Sequence, residues 1–321
     1  MISLWSRSGF IFYLYATVLT LMPAVPFAVI AGADSAWLFL TGDAFLYLGI
    51  AEHSTPDFFS FDGEYPTNGF HPLWQSYLWF IAQIVDNDSV LLMNVAAWTG
   101  IACTWIGVLF LGISIARCTG YWILAGLATP GVYFLLVGQG VGGNLSIWDF
   151  HNGMENALSF ALTGAIALVA VQLQQDEHRA SIWLGLGVLT GLLMLCRLDE
   201  VFVPAAIGLF WLIWFPKRIF QRIKSVALLG TPPLVFLVCY LWYNYSYMNT
   251  FLPVSGAAKG EGSLLQNGWV SLASFFAPIV DIRSMLTDYA PNYIALQGAD
   301  FRVAQLLVPI ILASAFIVRR S

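Results

Sequence analysis

Residues 89–116, SVLLMNVAAWTGIACTWIGVLFLGISIA, form a long apolar run without a single charged side chain. A helix needs about 20 apolar residues to cross the hydrocarbon layer of a bilayer, and this run exceeds that length. Further apolar runs lie on both sides of it, at 10–32, 121–141, 156–175, 181–197, 200–216, 225–246 and 303–318. The chain is therefore predicted to be an all-α polytopic membrane protein, a helix bundle with about eight spans.

Composition supports a membrane protein. Of the 321 residues, 59% are hydrophobic and only 10% are charged, and the mean hydropathy is +0.76. Soluble domains carry about 25% charged residues, so a soluble fold is excluded. The four cysteines lie in or beside apolar runs without CxxC spacing, which argues against a disulfide framework or a cysteine metal site. Membrane lipids are expected to contact the chain, and no nucleic-acid partner is expected.

Charge predicts the orientation, because Lys and Arg are enriched in cytoplasmic loops. With a cytoplasmic N-terminus and 10–32 kept as a helix, nine of the thirteen Lys and Arg residues fall inside. Sixteen of the eighteen Asp and Glu residues then fall outside. The nine basic residues are Arg7, Arg117, Arg179, Lys217, Arg218, Arg222, Lys224, Arg319 and Arg320.

The predicted external face consists of four loops on a single transmembrane domain, 1–321, without a separate soluble domain. The first loop, 33–88, contains the segment 71–85, which is too short to span and suits an interfacial or re-entrant helix. The second loop is 142–155, the third is a tight turn at 197–200, and the last is 247–302.

Two acids lie at predicted helix starts on this face. Asp43 falls in the first turn of a short helix after the first span, and Glu155 stands at the start of the span 156–175. The helix dipole favours a carboxylate at either place, so a capping role competes with a functional one. Asp149 and His151 make the loop around Glu155 a polar cluster.

Cations from other loops accompany these acids. Arg197 ends an apolar span on the external face, where it either forms a structural ion pair with Asp199 or faces a functional cavity. Lys259 closes the small-residue segment 253–260, PVSGAAKG, which has atoms suited to a phosphate but lacks P-loop spacing. His71 follows the turn segment 66–70 and either hydrogen-bonds the backbone or contacts a ligand.

A mixture of carboxylates and cations on one membrane face suits transfer from a phosphate-activated, lipid-carried donor. A carboxylate would take the proton of an attacking hydroxyl, and cations would stabilise the charge on the leaving phosphate.

The same segments resemble the bacterial GT-C superfamily of polytopic glycosyltransferases, which includes protein O-mannosyltransferases and aminoarabinose transferases. GDAFLYLGIAEH (42–53) is similar to the DDAFYYLxIAxN stretch of that family, and SFDGEYPTNGFHPLW (60–74) to its SFDG…TNGFHPLW. GMENAL, RLDEVF and LPVSGAAK (153–158, 197–202 and 252–259) are also similar, so the resemblance covers about 37–260.

The resemblance implies an inverting transfer of a sugar from a polyprenyl-phosphate donor to a lipid, glycan or protein acceptor. It implies the bacterial inner membrane, a periplasmic active face, and short juxtamembrane helices in the first loop. Asp43 corresponds to the acceptor-activating aspartate and Glu155 to the second acid. Arg197, Lys259 and His71 are the expected phosphate contacts. Asn68, Asp199 and Ser255 are expected to line the substrate cavity.

Three points stay open at the level of sequence. Position 42 is glycine where many relatives have a first aspartate, and relatives usually continue beyond the equivalent of Ser321, so a membrane partner subunit is an alternative. A divalent cation (Mg²⁺ or Mn²⁺) would find ligands in Asp43, Glu155 and His71, but no spacing requires one. A non-catalytic scaffold that binds lipid-linked sugar, or a lipid or solute transporter, remains the competing function.

Overall fold

The fold was examined in a computed structural model, which describes residues 7–21, 40, 42–137, 152–173, 179–214, 219–251 and 253. The described part of the chain is all-α. Its only pairing of β type is an isolated bridge between Ser60 and Pro66. The helices are α1 (Arg7–Leu21), α2 (Gly42–His53), α3 (Pro72–Ile84), α4 (Ser89–Thr119), α5 (Trp122–Val137), α6 (Asn156–Gln172), α7 (Ala180–Cys196), the 3₁₀ helix Leu198–Val201, α8 (Phe202–Trp214) and α9 (Ile219–Met248).

Local signals in the sequence explain where α3 and α4 begin and end. Pro72 occupies the first turn of α3, where a missing N–H costs nothing. The Asp88 carboxylate accepts the N–H groups of Val90 and Leu91, both at 3.0 Å, and so caps α4. Gly120 ends α4 in the left-handed conformation at φ 87°.

Length and composition qualify two of the described helices, α4 and α9, as able to cross a membrane. The apolar helices α6, α7 and α8 are shorter, at 17, 17 and 13 residues. The short helix predicted over 71–85 is present as α3. α1 and α4 to α9 fall within or overlap predicted spans, and α2 and α3 lie in the predicted first loop. The predicted span 303–318 lies outside the described residues. The count of eight spans stays a prediction.

Contacts at two points along each helix pair fix the relative helix directions. α4 runs antiparallel to α1 and parallel to α6, while α9 runs parallel to α7 and antiparallel to α8. The contacts are Trp105–Thr17 and Gly112–Phe12 for α4 and α1, Gly107–Phe160 and Phe110–Gly164 for α4 and α6, Leu229–Gly187 and Phe236–Gly191 for α9 and α7, and Arg222–Leu212 and Val226–Gly208 for α9 and α8.

These directions separate the charged residues between two ends of the helix bundle. The end that we call the acidic end carries every described Asp and Glu, together with Arg197. The acids are Asp43, Glu52, Asp57, Asp62, Glu64, Asp86, Asp88, Glu155, Asp199 and Glu200. The opposite, basic end carries Arg7, Arg117, Arg179, Arg222 and Lys224. Placing the basic end in the cytoplasm stays a prediction from the sequence.

The apolar core below the acidic end is formed by α2, α3 and α4. Its fully buried members include Trp74, Leu78 and Leu92. Because α2 and α3 pack on the first half of α4, the polar residues at their starts are held beside the start of α6.

Candidate active site

Asp43 lies in the first turn of α2, as the sequence predicts, and its side chain is exposed. One helical turn later on the same face stands Tyr47, which is only 7% exposed. α2 therefore presents an accessible carboxylate and, beneath it, a buried phenol.

Glu155 occupies the N-cap position of α6, but its side chain makes no capping hydrogen bond. The residue is 2% exposed. Its Oε1 atom lies 3.5 Å from Nε2 of His71, and its carboxylate is close enough to the Tyr47 hydroxyl to raise the pKa of that phenol. The carboxylate is thus turned toward the first loop and makes no capping hydrogen bond, although Glu155 stands at the helix start, as predicted.

The chain entering α6 is shaped so that this acid can be buried. Gly153 has a φ of +80°, and an added Cβ would stand 2.6 Å from Cδ2 of Leu40 and 3.0 Å from Cβ of Ala44. Its carbonyl accepts the indole N–H of Trp74 at 3.0 Å. Glycine is required here by both the backbone conformation and the close packing against α2.

Tyr47, which was not predicted as a site residue, connects α2 with the start of α3 and the start of α6. Its hydroxyl accepts the backbone N–H of His71 at 3.3 Å, and its carbonyl accepts Nε2 of Gln75 at 3.2 Å. Burial, and then the negative charge of Glu155, raise the pKa of Tyr47 well above its ordinary value. The phenol therefore stays protonated and can donate to the carboxylate. The signals in the sequence are its spacing of four residues from Asp43 and the tyrosine at the same position of the DDAFYYLxIAxN stretch.

Arg197 is joined to the residue that follows Glu155. Its backbone leaves α7 in an extended conformation, and Nη1 donates to Oδ1 of Asn156 at 2.7 Å. The preceding thiol of Cys196 donates to the Glu155 carbonyl at 3.5 Å. The predicted tight turn is confirmed as the 3₁₀ helix Leu198–Val201. It contains Asp199, whose side chain lies outside the described part, so the Arg197–Asp199 ion pair stays open.

The first loop is ordered by its own polar side chains and by α9. The Ser60 hydroxyl donates to Oδ1 of Asp62 at 3.0 Å, and this oxygen also accepts the N–H groups of Glu64 and Tyr65, both at 2.9 Å. These N–H groups hold the pKa of Asp62 below its ordinary value of 3.8. Tyr243 of α9 accepts the Phe59 N–H at 3.1 Å.

At the acidic end, the structure therefore brings His71 and Glu155 into contact and joins Arg197 to Asn156, the residue after Glu155, with Asp43 one turn from Tyr47. Asn68 is fully buried in the loop that leads to His71. Ser255 and Lys259, like Asp149 and His151, lie outside the described residues.

A divalent cation stays a prediction. Within the ranges that the structure describes, no group of three or more His, Cys, Asp and Glu side chains is arranged to hold a metal ion. Of the three predicted ligands, His71 and Glu155 are in contact with each other, and Asp43 is the exposed one.

The site combines one exposed acid, one buried acid with an imidazole and a phenol, and one guanidinium, drawn from separate elements. Comparison with protein-family models, curated proteins and solved structures found no match to this chain.

Proposed function

We propose that this protein is a membrane glycosyltransferase of the GT-C type. In this proposal it moves a sugar from a polyprenyl-phosphate donor to an acceptor hydroxyl at the acidic end of the helix bundle. The observation that supports it best is the contact of His71 with Glu155, next to Asn156, which holds Arg197, and beside the helix that carries the exposed Asp43. Acids and cations in one place match a reaction in which a proton is removed and a phosphate leaves.

In the proposed reaction, the acceptor hydroxyl oxygen attacks the anomeric carbon from the face opposite the phosphate. A new carbon–oxygen bond forms while the bond from that carbon to the phosphate oxygen breaks, and its electron pair leaves with the polyprenyl phosphate. The hydroxyl proton passes to the Asp43 carboxylate. Arg197 binds the phosphate as negative charge develops on it.

Asp43 suits the role of base because it is exposed and reachable, whereas Glu155 is enclosed by protein. Arg197 suits phosphate binding because a planar guanidinium matches the oxygens of a phosphate, and its bond to Asn156 holds it beside Glu155 in the chain.

The test is sugar transfer by the purified protein in liposomes. The liposomes contain polyprenyl-phosphate donors, each with a different radiolabelled sugar, and a cell-envelope extract supplies acceptors. We expect label to move from donor to acceptor, and Asp43→Asn to lower the rate by about 10²–10⁴-fold, the usual contribution of a general base. The variant should keep the unfolding temperature of the wild type, because the side chain is exposed.

Glu52→Gln is the matched control, since it neutralises another acid near the far end of α2. It should leave the transfer rate unchanged. Full activity of Asp43→Asn would refute the assignment of the base. Binding of every donor without transfer by the wild type would instead favour the non-catalytic scaffold, and donor movement across the bilayer without transfer would favour a transporter.

A further inference from the structure

The Tyr47 hydroxyl lies between two other elements of the site. It accepts the His71 N–H at the start of α3 and lies beside the Glu155 carboxylate at the start of α6, whose charge raises the pKa of the phenol. Its own helix is fixed at the same point, because the Tyr47 carbonyl accepts Nε2 of the fully buried Gln75. Three separate segments of the chain are thereby held at one phenolic oxygen.

The donors and acceptors available show which group would donate between the Tyr47 hydroxyl and the Glu155 carboxylate. The phenolic oxygen accepts from a backbone N–H, so its single proton is available to the carboxylate. Glu155 Oε2 has no hydrogen-bond partner among the described residues, which leaves Tyr47 and His71 as the side chains that orient this carboxylate. The His71 side chain is 28% exposed; its Nε2 faces Glu155 and its Nδ1 is buried, so the Nε2 edge is the polar edge that a ligand could meet.

We propose that Tyr47 is a positioning residue, which orients the Glu155 carboxylate so that Glu155 in turn orients the His71 imidazole toward the donor phosphate. This rests on the proposed function for the identity of the ligand. Glu155 then acts through His71 and does not meet the acceptor. Asp43, one turn before Tyr47, is held in place with the same helix.

Tyr47→Phe tests the role because it removes one oxygen and keeps the buried ring. Without the phenol, the carboxylate loses a donor and the His71 N–H loses its acceptor. A displacement of about 1 Å at a reacting group can cost about 10²-fold in rate. We expect kcat for sugar transfer to fall by at least tenfold, with the KM for the donor changed by less than threefold, as for a group that acts on orientation.

Tyr77→Phe is the matched control. Tyr77 belongs to the neighbouring α3 and to the same apolar cluster, and its hydroxyl hydrogen-bonds Thr99 instead of the site. It should lose a similar amount of stability as Tyr47→Phe and keep the wild-type kcat. Equal losses of kcat in both variants would reduce the effect of Tyr47 to general packing.

A second readout does not depend on activity. In protein labelled with ¹⁵N at histidine, the His71 ring signals are assigned by their loss in His71→Gln. They should shift in Tyr47→Phe and in Glu155→Gln, and stay in place in Tyr77→Phe. In kinetics, the double variant Tyr47→Phe/Glu155→Gln should be no slower than Glu155→Gln alone, because both changes act on one orientation.

The outcomes separate this inference from the proposed function. Unchanged His71 signals with wild-type kcat in Tyr47→Phe would overturn the positioning role and leave the transfer reaction standing. Multiplying effects in the double variant would also overturn it. If the wild type transfers no sugar while the His71 signals still respond to Tyr47→Phe, the contact is upheld and the proposed function fails.

Discussion

The starts of α2 and α6 each carry an acid, and the structure treats the two acids in opposite ways. Asp43 is exposed in the first turn of its helix, while Glu155 is buried at an N-cap position and makes no cap. The helix dipole favours both carboxylates equally, so it does not explain the difference. The neighbouring residues explain the difference. Gly153 allows the chain before α6 to pack closely against α2, and this places the Glu155 carboxylate beside Tyr47 and His71. The burial and the contacts of an acid at a helix start therefore depend on which residues pack against that start.

The largest loss of stability is expected from Gly153→Ala, which disturbs the close packing that buries Glu155. A left-handed alanine costs about 1–2 kcal/mol, and crowding against Leu40 and Ala44 adds about 1–3 kcal/mol. We expect an unfolding free energy lower by roughly 2–5 kcal/mol and a loss of sugar transfer. Equilibrium unfolding in detergent measures the first, and the liposome assay measures the second.

Gly120→Ala is the matched control, because Gly120 also has a positive φ, of 87°, and nothing lies within 4 Å of an added Cβ. It should lose only the backbone contribution, about 1–2 kcal/mol. Equal losses at the two glycines would show that the approach of α2 to Gly153 does not strain the alanine variant.

A smaller effect is expected when the two acids are truncated in turn. Glu155→Ala removes the partner of a buried phenol and should cost about 1–3 kcal/mol. Asp43→Ala removes an exposed side chain and should change the unfolding free energy by no more than about 0.5 kcal/mol. Comparable losses in the two variants, measured by the same unfolding method, would contradict the distinction between a buried and an exposed acid.

The smallest effect is expected at Asp62. This acid is exposed like Asp43, but its carboxylate accepts backbone N–H groups. Its lowered pKa means that its contribution to loop stability is fully present above the ordinary value of 3.8 and is lost as pH falls through the folded value. The amide ¹H signals of Glu64 and Tyr65 should report this between about pH 6 and about pH 2, with a midpoint below 3.8. Asp62→Asn should abolish the titration, and a midpoint at or above 3.8 would show that these hydrogen bonds do not favour the carboxylate.

Sequence predicts the features that depend on neighbours in the chain. The short helix α3, the position of Asp43 in the first turn of α2, and the turn after Arg197 all follow from such signals. The separation of acidic from basic residues follows from the order of apolar runs, because alternating helices send successive loops to alternate ends.

The contacts of Glu155 depend on residues far away in the chain and could not be predicted. No periodicity connects Tyr47, His71 and Glu155, and the hydroxyl of a tyrosine in an apolar helix face gives no sign that it will meet a carboxylate. The resemblance predicted Glu155 as a second acid and His71 as a phosphate contact, and it assigned no role to Tyr47.

Tyr243 links the first loop to α9 beyond the points where α9 packs on α7. Pro232 and Pro233 leave the carbonyls of Leu228 and Leu229 without helical donors, and these carbonyls lie against Gly187, where an added Cβ would stand 3.0 and 2.6 Å from them. α9 contacts α7 here and again where Phe236 meets Gly191, and Tyr243, which accepts the Phe59 N–H, stands about 10 Å beyond Phe236 along the axis. The number of residues in that stretch of helix sets the position and direction of Tyr243. One inserted residue would turn Tyr243 by about 100° and carry it away from the loop, so this segment of α9 tolerates substitution far better than insertion.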